Sequence, residues 1–431
     1  MKRWVLLILL GIGQELGAQT GRDQLYSGFV LQAKRDLLAQ DLRERTVGRT
    51  FALTPDSDNE DRFESACLAV TQFQLRSEES RQGLQKLFDH YDSLGYDTRW
   101  ALLEATFAVY PETFIKEVQR VVQTETHPKL FAISVVYLYR QDTSIDHTNS
   151  LKIRMVEQFP GYDTLPLLLE LEKWLNRYTL YQKIKTPALP ELFAYNKLAG
   201  QKMIYSFQRW DRDQPGMAIV QQADGRFARH PDGRLMVFEQ LARSASALPY
   251  FLTNGNTPQG VYRVTGIGVS RNNFIGPTPN IQLQLPYEGK WGNYFQLTPG
   301  SRWDSTRAAL DAYQLLLPPR WRNYGPMQEA LYAGKIGRRE IIAHGTTLDP
   351  EYFKDKPYYP LTPSMGCLCA RELWNGSTGR LLVSEQWNLY SAFTATPGSK
   401  GYLMVLNVDH EDRPVSRADV ERWVAEYEKK K

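Results

Sequence analysis

A histidine and a cysteine, each closing or following a short structural signal, are the residues of this chain best suited to covalent chemistry. His344 ends the apolar run Ile341-Ile342-Ala343 and precedes Gly345, and 18 residues (346–363) then lead to Ser364-Met365-Gly366-Cys367. A thiol is a strong nucleophile as its thiolate, and an imidazole brought beside it can take its proton or stabilise it as an ion pair. Gly366 has no Cβ, so a substrate can approach the backbone there. N–H groups near Gly366 and Cys367 can converge on one point as an oxyanion hole, where a single donor is worth about 3–4 kcal/mol of barrier. Ser364 is expected to hold the turn or donate a hydrogen bond. Sulfur is the better nucleophile at neutral pH, so the hydroxyl is not assigned that role.

Cysteine is scarce: Cys67, Cys367 and Cys369 are the only three. An odd count in an exported chain leaves at least one thiol unpaired or paired between chains. A Cys367–Cys369 disulfide would close a very small, strained loop. Zinc held by His344, Cys367 and Cys369 would lack an evident fourth ligand, so no metal and no cofactor is expected. Cys67, within Ala66-Cys67-Leu68-Ala69, reads as a core thiol on a helix. His90, His127, His147, His230 and His410 show no partner pattern and read as surface or packing residues.

The segment 341–371 resembles the active-site motif of the YkuD-type L,D-transpeptidases, which cross-link bacterial peptidoglycan. The likeness rests on His344, Ser364, Gly366, Cys367 and Leu368. Met365 stands where that family usually has a second histidine, and Cys369 where it has Asn or Arg. The YafK-like branch of the same fold tolerates a residue other than His between Ser and Gly. Upstream, Thr257-Pro258-Gln259-Gly260-Val261-Tyr262 is similar to the family's turn-and-strand motif, and Leu285-Pro286-Tyr287 to its apolar strand end. The resemblance spans roughly residues 200–410. It implies a thioester on Cys367, formed from a stem peptide with release of D-alanine and resolved by an amine of a second stem. Water as acceptor would make the same site a carboxypeptidase or amidase. A third reading is a wall-binding protein that has lost catalysis. Arg371 could supply the donor missing at 369. Gly345, Tyr358 and Tyr359 are candidates for lining the substrate cleft, with loop packing the competing account of the two tyrosines.

The chain has 431 residues, 42% hydrophobic and 23% charged, enough for a sizeable core and for two domains. Its net charge is +4, with basic residues dispersed apart from 429–431, which leaves no nucleic-acid footprint. Aromatic content of 12%, with 10 Trp, fits core packing better than a carbohydrate face. The first residues, with Lys2 and Arg3, an apolar core over 4–12 and Leu16-Gly17-Ala18, read as a secretory signal cleaved after Ala18. Residues 1–18 are thus the signal peptide, and the mature chain is expected in the periplasm or cell envelope, soluble. Its expected partners are peptidoglycan stem peptides and, through the helical region, a protein.

The elements that must position these groups read as two regions, an α+β organisation. Helical spacing begins at 22–45, with Leu25, Phe29, Ala33, Leu37 and Leu38, and continues over 64–181 as five or six helices. Breaks fall at 93–96, 110–111, 126–128, 142–147 and 159–164. No clean repeat emerges, so a HEAT-like array and an irregular bundle both fit the helical domain, 19–190. The border lies near 183–200, at Pro187-Ala188-Leu189-Pro190. From 200 to 431 the pattern is β-rich, the expected catalytic domain. Strands are expected at 202–208, 217–222, 235–240, 260–269, 281–285, 339–343 and 401–408. Asp224-Gly225 and Asp232-Gly233 mark hairpin turns. One helix is expected at 305–316. A last one is expected at 417–429, with Ser416 as N-cap and Asp419 completing a capping box.

Overall fold

The computed structural model describes residues 21–181, 184–295 and 309–430. The signal-peptide reading of 1–18 and the first part of the 305–316 helix lie outside them.

The N-terminal region is helical. Residues 32–52 form one irregular helix: α1 (Gln32–Gln40) runs on through a π-helical stretch, Asp41–Arg49, into Thr50–Ala52. Seven helices follow: α2 (Glu60–Phe73), α3 (Glu78–Asp89), α4 (Tyr96–Val109), α5 (Ile115–Thr124), α6 (Pro128–Gln141), α7 (Ile145–Gln158) and α8 (Pro166–Tyr181). Caps set their starts. The Ser77 hydroxyl accepts from Ser80 N at 3.1 Å, the Ser144 hydroxyl accepts from His147 N at 3.3 Å, and Pro128 occupies the first turn of α6. In α6, every residue from Leu130 to Tyr139 is buried, so this helix is apolar all round and forms the centre of the bundle.

The expected start of the first helix moves. Leu25 follows one short 3₁₀ turn and Val30 ends another; both pack against Trp374 and Leu381 of the later hairpin, and Tyr26 bridges to Arg380. Residues 22–31 therefore serve a tertiary contact with the other end of the chain, which outweighs their helical spacing.

The C-terminal region is a closed eight-stranded barrel. Its strands are β1 (Met203–Gln208), β2 (Gly216–Gln221), β3 (Phe238–Leu241), β4 (Gly260–Gly268), β5 (Asn280–Gln284), β6 (Ile342–His344), β7 (Leu368–Ala370) and β10 (Gly401–Asn407), in the order β1-β10-β4-β5-β6-β7-β3-β2. β8 (Glu372–Trp374) and β9 (Leu381–Ser384) make a separate hairpin. The β1–β10 and β6–β7 pairs are parallel and the other barrel pairs antiparallel.

Alternate residues divide the strands between two cores. Ile204, Val220, Phe238, Tyr262, Ala343, Leu368 and Val405 fill the inside and join the core of the helical bundle. Tyr205, Phe207, Ile219, Met404 and Leu406 face outward onto α9 (Leu189–Ala199) and α12 (Arg417–Glu428), through Phe193, Val420, Trp423 and Tyr427. α12 starts on the expected capping box of Ser416 and Asp419. Between them in sequence lie α10 (Glu329–Ile336) and α11 (Glu385–Thr394). α11 packs against β2, β3, β5 and β7, and so spans one end of the barrel. At the other end β1, β3 and β10 finish and β4 and β7 begin. The loop 244–257 roofs it, through Ala245 N bonded to Ser364 O at 2.7 Å and Leu248, Phe251 and Leu252 in the shared core.

Candidate active site

Parallel pairing of β6 and β7 brings the two halves of the motif together. Ala343 lies opposite Leu368 and His344 opposite Cys369. Side chains alternate along a strand, so Ala343 and Leu368 enter the barrel core while Ile342, His344, Cys367 and Cys369 share the outer face. The direct cross-strand neighbour of His344 is thus Cys369. Cys367 is one diagonal step further along.

His344 is 4% exposed, and its Nδ1 lies 2.5 Å from Gly345 O. A carbonyl only accepts, so Nδ1 carries the proton and Nε2 is left with its lone pair. Burial pushes the imidazole down to about 4, leaving it neutral at pH 7. Cys367 is half-buried; its thiol donates to Glu340 O at 3.6 Å and accepts from Ile342 N at 3.5 Å. Burial pushes this thiol up to about 11, against the opposing pull of the Ile342 N–H and the Arg338 charge. No hydrogen bond joins Cys367 to His344, and both are neutral at rest. Cys369 is buried beside Thr362 at 3.7 Å, its thiol pushed up to about 12.

The turn before Cys367 is fixed from two sides. The Ser364 hydroxyl accepts from Gly366 N at 3.1 Å and donates to Cys367 O at 2.8 Å. That bond occupies the Gly366 N–H, which removes it from the expected oxyanion hole. Gly366 has φ +110, and a Cβ there would sit 2.4 Å from Arg338 Nη2 and 2.8 Å from Gly255 O. Sequence reasoning missed Arg338. Its guanidinium is 8% exposed and donates to Tyr250 O at 2.5 Å, Asn256 O at 2.8 Å and Gly255 O at 3.0 Å. All three acceptors are neutral carbonyls, and no carboxylate pairs with it among the described residues. Three of its five N–H groups are used, so a buried positive charge with donors to spare lies against the turn before Cys367. Only its position before the β6 run could have hinted at this, because the loop it binds is more than 80 residues upstream.

Two of the expected cleft residues, Gly345 and Tyr358, and the expected donor Arg371 are placed elsewhere. Gly345 is buried, and a Cβ on it would lie 2.2 Å from the Glu372 carboxyl, so its absent side chain admits Glu372 rather than a substrate. Glu372 accepts from Thr346 N at 2.9 Å and Ser384 Oγ at 2.5 Å, and burial pushes it up to about 7. Tyr358 is fully buried with Leu241, Phe353 and Leu361 beneath the Arg243 guanidinium, 4.8 Å away. Arg371 pairs with Glu239 at 3.1 Å and has no bond to Cys367 or Cys369. Tyr359 is 41% exposed and bonds Glu351 at 3.1 Å. All three cysteines are free thiols, and among the described residues no group of three or more His, Cys, Asp or Glu is arranged to hold a metal. No described helix is long and apolar enough to cross a membrane.

In comparison with known proteins, the chain matches no family model, no curated protein and no solved structure.

Proposed function

We propose that this protein is an exported cysteine acyltransferase of the L,D-transpeptidase kind, acting on peptidoglycan stem peptides. The observation that carries the reading is the parallel β6–β7 pair, which brings together residues 23 positions apart, with His344 ending β6 and Cys367 immediately preceding β7. In this reading the Cys367 sulfur attacks the carbonyl of the stem's diamino acid. Its proton passes to His344 Nε2 and on to the leaving amine as D-alanine departs, leaving a thioester. An amine of a second stem then attacks the thioester, forms the new amide and returns the proton to sulfur. Because the resting pair is neutral, proton transfer accompanies attack instead of preceding it. Arg338 stabilises the negative charge as it develops near the turn. The helical bundle in this account holds the barrel on the wall or on a protein partner.

Two observations favour other outcomes. Met365 and Cys369 in the motif fit a hydrolase of the YafK-like branch, with water resolving the thioester. The missing Cys367–His344 hydrogen bond fits a wall-binding protein without catalysis. Purified muropeptides separate these readings. New dimers with a direct bond between two diamino acids mean transfer, trimmed monomers mean hydrolysis, and unchanged muropeptides mean neither.

A further inference from the structure

Another buried guanidinium lies at the same end of the barrel, and among the described residues it has no hydrogen-bond partner. Arg212, in the loop between β1 and β2, is 9% exposed and makes no hydrogen bond or ion pair among the described residues; its Nη1 is fully enclosed. The carboxyl whose charge acts on it is Glu329. That group is already bonded to Gln259, at 2.9 Å to the backbone N–H and 3.1 Å to the side-chain amide. Burial holds Glu329 near 7, so it is an incomplete counter-charge. An incompletely compensated cation in the interior is expensive for a fold to carry, and it is relieved by an anion with matching acceptors.

The wall beside it is polar and similarly unpaired. Gln208 lies opposite Asn407 across β1 and β10, and Gln240 opposite Gly216 across β3 and β2. All three polar residues share the inward parity of Ile204, Val405 and Phe238. Gly216 leaves room for the Gln208 amide, which a Cβ would meet at 2.3 Å. The level thus reads Gln240, Gly216, Gln208, Asn407 around the inside of the barrel. The Asn407 N–H bonds Gln259 Oε1, which ties this row to Glu329 and so to Arg212. Among the described residues, Gln208 Oε1, both amide atoms of Gln240 and Asn407 Oδ1 are enclosed without hydrogen-bond partners, on residues no more than 3% exposed. A cationic fork plus a ring of unused amide groups matches a ligand that is anionic at one point and donates hydrogen bonds at another.

We propose that the mouth of the barrel is a binding site for a small carboxylate bearing its own N–H donors, the chemistry shared by free amino acids and peptide C-termini, with Arg212 clamping the carboxylate and Gln208, Gln240 and Asn407 taking the N–H groups. The inference stands whether or not Cys367 is catalytic. Thermal-shift and calorimetric titrations of the full chain with D-alanine, L-alanine, D-alanyl-D-alanine and acetate test it. Saturable binding of one of the amino-bearing carboxylates, at least tenfold tighter than acetate, is expected, and the free and dipeptide arms tell the two sources apart. Arg212→Met should raise the melting temperature of the unliganded protein, because a buried charge without hydrogen bonds is gone, and should abolish the response. Arg212→Lys, which keeps the charge and the fold but loses the fork, should weaken binding at least tenfold. A response unchanged in Arg212→Lys overturns the proposal. So does the absence of any response in the native protein, with only ordered water beside Arg212 in crystals soaked with D-alanine.

Discussion

At the scale of single residues, the environment of Cys367 makes a sharp statement about reactivity. A thiol near 11 is thiolate in only about one molecule in 10⁴ at pH 7, and an imidazole near 4 offers it no positive charge. Alkylation of Cys367 by iodoacetamide, followed by peptide mass mapping, should therefore rise about tenfold per pH unit from 7 to 10. A rate that levels off below pH 7.5 would mean that the thiolate is already paired with His344 in the resting protein. Among the described residues, Arg338 is the cation whose charge pulls the sulfur down. Arg338→Met should shift this profile to higher pH and slow alkylation at pH 8 by roughly three- to tenfold, with Arg338→Lys between the two. Neither effect needs turnover, so they read the site's electrostatics whatever its substrate.

At the scale of elements, two glycines show how tightly the motif is built. Gly345→Ala would drive a methyl into the buried Glu372 carboxyl, and destabilisation by about 2–3 kcal/mol is expected from urea unfolding. Gly266→Ala, where a Cβ meets nothing within 4 Å, should stay within about 0.5 kcal/mol. Equal effects would mean that the Glu372 contact does not constrain the strand end. The sequence made some of this framework legible and hid the rest for physical reasons. The interhelical breaks were readable because Tyr110-Pro111, Thr126–Pro128 and Phe159–Thr164 carry turn chemistry that ends helices locally. The hairpin glycines, Gly225 at φ +79 and Gly233 at φ +86, were readable for the same reason. β7 was missed because it is three residues long and paired on both sides, a state set by β3 and β6 and not by its own pattern. α11 was missed because Glu385–Thr394 mixes buried Gln386 with Leu389 and Phe393, and its place across the barrel end exists only once the barrel has closed. The pairing of His344 with Cys369 instead of Cys367 is a matter of register, and no spacing in one chain states register across the 23 residues between the two strands.

At the scale of the whole molecule, bundle and barrel share one core, and buried carboxyls stitch them. Glu104 of α4 is fully buried and accepts from Asn254 Nδ2 at 3.1 and 3.2 Å, while Glu170 of α8 takes the Tyr250 hydroxyl. Asn254 and Tyr250 belong to the loop whose carbonyls hold Arg338, so the bundle braces the Cys367 turn through three contacts in series. Burial raises Glu104 to about 8 from an ordinary value of 4.5. The folded state therefore keeps a proton that the unfolded chain releases, and this contribution is complete below pH 4.5 and lost as pH rises through 8. Glu104→Gln, which imitates the protonated form, should be near neutral at pH 4.5 and stabilising relative to the parent by on the order of 4 kcal/mol at pH 9. A stability difference independent of pH would show that Glu104 is ionised in the fold. His344 acts in the opposite sense. Its folded value near 4 lies below the unfolded 6.5, so its contribution is present above pH 6.5 and lost as pH falls toward 4.

The central claim is that Cys367 forms an acyl-enzyme with His344 as its base, and intact-mass spectrometry after incubation with a carbapenem or a tetrapeptide donor tests it directly. A single covalent adduct is expected on the parent protein, on Cys67→Ala and on Cys369→Ala, and none on Cys367→Ala or His344→Ala. An adduct that persists in Cys367→Ala, or a parent protein that stays unmodified with both donors, would contradict it.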